Sequence, residues 1–187
     1  NRLVQMYNHV STDEWEWFED YLTYANSKLP EALLAAWMVT GDRIYKDIAV
    51  STFDFLLKQT FNENGIEVIS NKNWFQKGQK PGRYGEQPID VADTIMALSF
   101  FYEAQHKEEY LRKMETAFNW FLGSNRLHQI IYNPCTGGCY DGLEESNVNI
   151  NQGAESTVCY LIARLTVEKY NQINPVKAHF NASVSKQ

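Results

Sequence analysis

The chain has 187 residues, of which 44% are apolar and 14% aromatic, enough for one substantial hydrophobic core. Its net charge of −6, without a basic stripe between aromatic residues, argues against nucleic acid as a partner. No apolar run approaches the roughly 20 residues of a membrane span. We therefore predict one globular domain over residues 1–187, with a frayed tail at residues 176–187.

Apolar residues recur at helical spacing through most of the chain. Residues 1–10 are compatible with the end of a helix. The string Ser-Thr-Asp-Glu at residues 11–14 resembles a capping box and predicts a helix carrying Trp15, Trp17, Phe18 and Leu22. Further helices are predicted over residues 29–40, 42–60, 87–104, 107–122 and 151–168.

Periodicity also predicts which side chains pack inside. The aromatic residues assigned to the core are Trp15, Trp37, Phe53, Phe118 and Trp120. The third helix is expected to turn Ile44, Ile48, Phe53 and Leu56 inwards. In the last helix, Ala154, Val158, Leu161 and Leu165 recur at helical spacing, as in an amphipathic helix.

Two long irregular segments interrupt the helices, at residues 71–84 and 126–150, and a short strand is predicted at residues 66–70. Loops of this length are uncommon in compact domains unless they have a function. The second loop leads directly into the last helix. Its polar groups are therefore expected near Gln152 and Glu155.

A repeat of sixty-five residues relates the two halves of the chain. The string Gln-Pro-Ile-Asp at residues 87–90 aligns with Gln-Gly-Ala-Glu at residues 152–155, and aromatic positions such as Phe53 and Phe118 also match. One unit contains an inner helix, a short turn, an outer helix and a long return loop. Repeats of this size predict stacked helical hairpins.

Three cysteines leave at least one unpaired if all pairing is intramolecular. Cys159 falls inside the last predicted helix. Cys135 and Cys139 are close enough for a tight disulfide or half of a metal site, but no second Cys or His pair has the spacing of a zinc site. We favour a reduced pair in the cytoplasm, and we expect no metal and no cofactor.

Five strings together carry a resemblance to a known family: residues 17–24, 29–34, 87–90, 137–143 and 149–157. The chain resembles the helical module of bacterial α/α-toroid proteins in the six-hairpin glycosidase-like superfamily, found with family 4-type glycosyltransferases. The resemblance covers about residues 11–170. It implies an all-α fold of antiparallel helical hairpins that form part of an (α/α) toroid, with one or two short strands in the loops.

Two departures from the family pattern matter. Relatives have an acid at the position of Ala25, which lies sixty-five residues before Asp90. A complete toroid also has twelve helices, whereas six or seven are predicted here. The chain is therefore expected to form part of a ring or an open half-ring.

In such a toroid, the ends of the inner helices and the adjoining loops line a funnel that suits a carbohydrate. The resemblance implies that Asp90 and Glu155 face each other across it, with Asp141 on the adjoining loop as a third candidate catalytic carboxylate. Glycoside hydrolysis uses two carboxylates roughly 5–9.5 Å apart. The candidate substrate-binding residues are Gln87, Asn151, Gln152 and Glu144 for sugar hydroxyls, and Trp74 and Tyr84 for stacking.

Each of these residues also has a purely structural interpretation. Acids in a first turn complement the helix N-terminus, for about 0.3–1 kcal/mol each. Gln87, Asn151 and Gln152 could cap backbone groups of the loops. None of the four histidines falls in the matched strings, which argues against an epimerase.

Two functions of different classes remain. The chain is either an enzyme module that cleaves or rearranges a glycosidic bond, or a non-catalytic module that binds glycan or scaffolds a glycosyltransferase. We expect a carbohydrate-handling module, linked to glycan synthesis or processing in the bacterial cytoplasm. Its expected partners are a carbohydrate ligand and a glycosyltransferase domain or subunit.

Overall fold

The structure, a computed structural model, describes residues 1–173. These residues contain six α-helices and three short antiparallel ladders. The helices are α1 (Arg2–Val10), α2 (Lys28–Thr40), α3 (Arg43–Thr60), α4 (Pro88–Gln105), α5 (Glu108–Asn119) and α6 (Ala154–Ile173). A 3₁₀ turn, Trp120–Leu122, continues α5. The tail predicted at residues 176–187 lies outside the described residues.

Each ladder joins two strands of two residues. Strand β1 (Tyr21–Leu22) pairs with β4 (Phe75–Gln76), β2 (Phe61–Asn62) with β3 (Gly65–Ile66), and β5 (Gly142–Leu143) with β6 (Val148–Asn149). The sequence predicted fewer strands than these six. Of the strand predicted at residues 66–70, only the first residue belongs to one.

The helices pack as antiparallel hairpins. Helix α2 packs on α3 and α4 on α5, while α4 also contacts α2 and α6. We call α2, α4 and α6 the inner row. Helices α3 and α5 begin sixty-five residues apart, as the repeat requires. The all-α hairpin architecture predicted from the sequence is thus confirmed.

Aromatic rings from three helices form the centre of the core. Phe53 on α3 stacks on Phe101 on α4 with ring centroids 4.1 Å apart, and Tyr110 on α5 lies 5.9 Å from Phe101. Of the five aromatics assigned to the core, Trp15, Phe53 and Trp120 are buried, whereas Trp37 and Phe118 are half-buried.

The helix predicted after residue 11 was wrong. Residues 11–20 form turns, with a bridge between Thr12 and Trp15, and the Trp15 indole donates to the Glu19 carbonyl at 2.7 Å. Trp15, Trp17 and Phe18 are all buried. In a helix Trp15 and Phe18, three residues apart, would share a face, but Trp17 would point away from it, so a helix could not bury all three side chains against one surface.

One predicted inward-facing residue and one predicted apolar face lie away from the core. On α3, Ile48, Phe53 and Leu56 are buried as predicted, whereas Ile44, in the first turn of the helix, is 42% exposed. On α6 the buried residues are Tyr160, Ala163, Val167 and Tyr170, while Val158, Leu161 and Leu165 are about half exposed or more. The regularly spaced apolar residues of α6 therefore lie away from the core. Within residues 1–173, every helix is too short or too polar to cross a membrane.

A glycine at a close approach of two chain segments gives the first testable prediction. A Cβ at Gly142 would overlap the carbonyl oxygen of Glu86. We expect Gly142→Ala to lower the free energy of unfolding by about 2–3 kcal/mol in urea denaturation. Gly137 has a positive φ of 76° and open space around it, so Gly137→Ala should cost only about 1 kcal/mol. Equal losses for the two variants would contradict the close approach.

Candidate functional site

The N-terminal ends of α4 and α6 are joined through the loop that precedes α6. The amides of Gly85 and Glu86 donate to the Leu143 carbonyl at 2.9 and 3.0 Å, and the Leu143 amide donates back to the Glu86 carbonyl at 2.9 Å. This short bridge places Gln87, the N-cap of α4, beside the loop. The repeated Gln-x-x-acid strings therefore begin at neighbouring helix ends.

Asp141 fixes the start of α6. Its Oδ1 accepts hydrogen bonds from the Gly153 amide at 2.8 Å and from the Ser156 hydroxyl at 2.7 Å, and its Oδ2 accepts from the Asn151 side chain. Burial opposes ionisation of Asp141. The bonds from Ser156, Asn151 and Gly153 outweigh burial and hold the pKa of this carboxyl below its usual value. Asp141 is thus an ionised cap of the helix N-terminus.

A polar cavity of about 310 Å³ lies between these two helix ends. Its lining includes Gln87, Asp141, Glu144 and Glu155, four of the residues singled out from the sequence. The first turn of α6 also contributes backbone amides, which have no partners within a helix. Carboxylates, amides and backbone N–H groups are the groups that hydrogen-bond to sugar hydroxyls.

The acids on the rim of the polar cavity remain accessible. Glu155, in the first turn of α6, is exposed. Glu144 is half-buried and forms an ion pair with Lys72, with Oε2 and Nζ 3.2 Å apart. Both side chains can reorganise around a ligand at small cost, because neither is enclosed by the core.

Glu86 lies in the wall of the polar cavity and was not identified from the sequence. It is 2% exposed, its Oε2 accepts from the Trp120 indole at 2.8 Å, and its Oε1 lies 3.4 Å from Arg126 Nε. Burial raises the pKa of Glu86 to about 7, against the opposing effects of Trp120 and Arg126. A single acid in a loop carries no periodic signal, so only the fold reveals these partners.

Asp90, in the first turn of α4, contacts the segment that precedes α2. Its Oδ1 accepts from the Ala25 amide at 2.7 Å, and it borders a void of about 10 Å³ with Asn26, Ser27 and Thr94. Burial raises the pKa of Asp90 to about 7, against the Ala25 bond and with a contribution from neighbouring Asp93. Asp90 and Glu155 line different cavities among the described residues. Burial raises the pKa of the Cys159 thiol to about 11, and Glu155 and Asp90 both add to this rise, so both acids lie near that residue and their predicted pairing stays a prediction.

The remaining predicted site residues do not line the polar cavity. Gln152 accepts from the Thr136 hydroxyl at 2.5 Å, and Asn151 is held by Asp141. The Trp74 ring lies 6.2 Å from that of Tyr24. The backbone carbonyl of Tyr84 accepts from the Ser70 hydroxyl. Gln152, Asn151 and Trp74 thus contact other parts of the chain, and Tyr84 is half-buried.

The cysteines and other metal-binding side chains can also be placed. Cys135 is exposed and Cys139 is buried, and both carry free thiols. Burial raises the pKa of the Cys139 thiol to about 12. Over residues 1–173, no three or more His, Cys, Asp or Glu side chains are grouped as a metal ion would need.

The cap formed by Asp141 gives a prediction with a defined pH dependence. Its carboxyl has a lowered pKa when folded, so its stabilisation is present above about pH 4 and is lost as the pH falls through the folded pKa. We expect Asp141→Asn to lower the free energy of unfolding by about 1.5–3 kcal/mol at pH 7. Urea denaturation at pH 7 and pH 3 should show this loss shrinking in acid. The exposed Asp13→Asn variant is the control, and an equal loss there would contradict the cap.

Asp90 should show the opposite pH dependence. Its folded pKa of about 7 lies above the ordinary aspartate value of 3.8, so folding favours the protonated form. Its contribution to stability is greatest below about pH 4 and is lost as the pH rises to about 7. Asp90→Asn keeps an oxygen for the Ala25 amide, so the variant should gain roughly 2–4 kcal/mol on the wild type between pH 4 and pH 8. A gain by the wild type over that range would contradict the buried-acid interpretation.

Comparison with known proteins supports the architecture. No protein-family model matches the chain, and no curated protein does. Among the similar solved structures are two of inactive variants of the α-1,6-mannanase GH76A from Salegentibacter sp. HEL1_6, in which two consecutive aspartates are replaced. One is in complex with α-1,6-mannotriose (TM-score 0.59, 16% identity) and the other with α-1,6-mannotetrose (TM-score 0.60, 14% identity).

Each match covers 84% of this chain and 44% of the mannanase chain, so the chain spans less than half the length of these neighbours. The neighbours have the six-hairpin α/α-toroid fold. At this identity the likeness concerns the fold alone. The described residues thus have the fold of part of an α/α toroid, whereas the link to glycosyltransferases has no counterpart in these matches.

Proposed function

We propose that this chain is a carbohydrate-handling module that binds a glycan in the polar cavity between the N-terminal ends of α4 and α6. The observation that carries the proposal is the cavity itself. Its volume of about 310 Å³ falls within the range of small-molecule sites, roughly 300–1,000 Å³. Its lining offers carboxylates, an amide side chain and helix N-terminal amides in one concave surface.

The ligands of the two similar structures suggest which sugar to test first. The two similar structures hold α-1,6-mannotriose and α-1,6-mannotetrose. We therefore propose short α-1,6-linked mannose chains as the first ligands to test. Glu155, Glu144 and Gln87 are the residues placed to accept hydrogen bonds from sugar hydroxyls, because they line the cavity without being enclosed by the core.

The contacts of the acids favour binding over catalysis. Asp141 accepts three hydrogen bonds from the chain, and Glu86 is held by Trp120 and Arg126. Asp90 lines a separate void. Glycoside hydrolysis needs two carboxylates on opposite sides of one bond, and of the four acids that line the cavity only Glu144 and Glu155 have no part in holding the loop to the helix ends through their carboxylates.

A glycosidase is the second candidate function, and one observation favours it. Glu86 has a raised pKa and Asp141 a lowered one, and both line the same cavity. Acid–base pairs in glycosidases show this kind of separation. In that case Glu86 would carry the proton, and Glu155 or Asp141 would be the ionised partner.

The biological setting that we propose rests on the strings at residues 87–90 and 149–157. Their resemblance supports a role in glycan synthesis or processing beside a glycosyltransferase domain or subunit, in a bacterial cytoplasm. Under the binding function, the module would hold a glycan while that partner acts on it.

Glu155 provides the test of the proposed function. We expect Glu155→Gln to weaken binding of α-1,6-mannotriose about 10–100-fold in titration calorimetry, because a charged acceptor of sugar hydroxyls is lost. The helical circular dichroism should not change, since Glu155 is exposed. The control is Glu63→Gln, in an exposed turn remote from the cavity.

Three outcomes separate the alternatives. Equal binding by Glu155→Gln and wild type would remove Glu155 from the site. Unfolding of the variant, with no ligand found for the wild type, would make Glu155 a structural cap. New anomeric NMR signals that grow with time would establish the glycosidase instead of the binding module.

A further inference from the structure

Helix α6 ends the inner row, and its far side carries an apolar stripe. The stripe consists of Val158, Leu161, Ile162 and Leu165, and Leu165 is 65% exposed. One repeat earlier, the corresponding positions of α4 are Asp93, Met96, Ala97 and Phe100, which are buried or half-buried. Helix α4 has an inner helix on both sides, whereas α6 has one on a single side among the described residues. The stripe thus has the composition of a buried face without the neighbour that would cover it.

A groove of about 480 Å³ lies between α5 and α6, beside the stripe. Its floor is aromatic: the Tyr160 ring stacks on Tyr132 at 4.3 Å and on Phe118 at 5.9 Å. On α6 its rim carries Arg164 and Glu168, which form an ion pair at 2.7 Å. An apolar floor with a polar rim is typical of a surface that receives a helix.

One repeat earlier, the equivalent surface lies on α4, and the last turns of α6 cover it. Ser99 and Glu103 of α4 contact the Tyr170 hydroxyl at 2.7 and 2.8 Å, and the Tyr102 ring lies 5.4 Å from the Tyr170 ring. Lys169 also donates to Glu103 at 2.9 Å. The last turns of one inner helix therefore sit on the preceding inner helix.

The α4 positions in this contact correspond to Arg164, Val167 and Glu168 of α6, which line the groove. By the repeat, the groove therefore corresponds to the surface on which the last turns of a further inner helix would pack. At the opposite end of the inner row, two repeats before Lys169 and Tyr170, lie Val39 and Thr40 of α2. Val39 is 88% exposed, so the last turn of α2 is free to pack on a surface of this kind.

We propose that a second copy of this chain occupies this surface, with the α6 edge of each copy packed against the α2 edge of the other. The contact would reproduce between copies the packing that α4 and α6 make within one. Each copy has one edge of each kind and contributes α2, α4 and α6, so two such contacts would close a ring of six inner helices, as in a six-hairpin toroid. This proposal does not rest on the carbohydrate function.

Sedimentation equilibrium of the full chain tests the proposal. The wild type should form a dimer of twice the chain mass that dissociates on dilution. Leu161→Lys in the stripe and Val39→Lys on α2 should each weaken the dimer at least about tenfold, because each places a charge in an apolar contact. Both residues are exposed, so both variants should keep the wild-type circular dichroism.

Ile150→Lys is the matched control. Ile150 is also exposed and lies outside both edges, so this variant should dimerise like the wild type. A monomeric wild type at every concentration would overturn the proposal. A dimer sensitive to Leu161→Lys but not to Val39→Lys would overturn it too, because it would indicate pairing of α6 with α6. Assembly that grows steadily beyond two copies would replace the closed pair with an open chain.

Discussion

The carboxylate of Asp141 ties the loop before α6 to the first turn of that helix. Its two oxygens accept from Gly153, Ser156 and Asn151, so the loop cannot shift without leaving helix N-terminal groups unpaired. The same loop bonds through Leu143 to the segment before α4. Through this loop, the Asp141 carboxylate thus sets the separation of the N-terminal ends of α4 and α6. The walls of the polar cavity depend on that separation.

Burying an acid costs free energy, and the fold offsets this cost to different degrees for Glu86 and Asp90. Glu86 is compensated by Trp120 and Arg126, and Arg126 also donates to the carbonyls of Glu144 and Glu145, so this cluster fastens the loop to the end of α5. Asp90 has one backbone partner, the Ala25 amide. Glu86 and Asp90 have pKa values near 7, so their contributions to stability fall as the pH rises, whereas Asp141 favours ionisation. Glu86 and Asp141 line the polar cavity, which is therefore built from groups with opposed pH preferences.

Particular residues show which features of the fold and of the site could be predicted from the sequence. The inner and outer helices were predictable because hydrophobic periodicity and the sixty-five-residue repeat are local signals. The segment around Trp17 and Phe18 was not, because consecutive buried rings satisfy neither period, and only contacts with Tyr7 and Phe55 fix their directions. The sequence also placed Asp141 near the start of α6, but it could not separate Asp90 from Glu155. That difference depends on which neighbouring amide each carboxylate reaches, and hydrophobic periodicity does not encode it.

The glycan site that we propose lies between the N-terminal ends of α4 and α6. Protein-observed NMR of the isotope-labelled chain during addition of α-1,6-mannotriose can locate the bound sugar residue by residue. We expect saturable shifts of the amides of Gly85, Glu86, Gly153, Glu155 and Ser156, which line the polar cavity. Shifts confined to the groove between α5 and α6, or no shifts up to millimolar ligand, would contradict the claim.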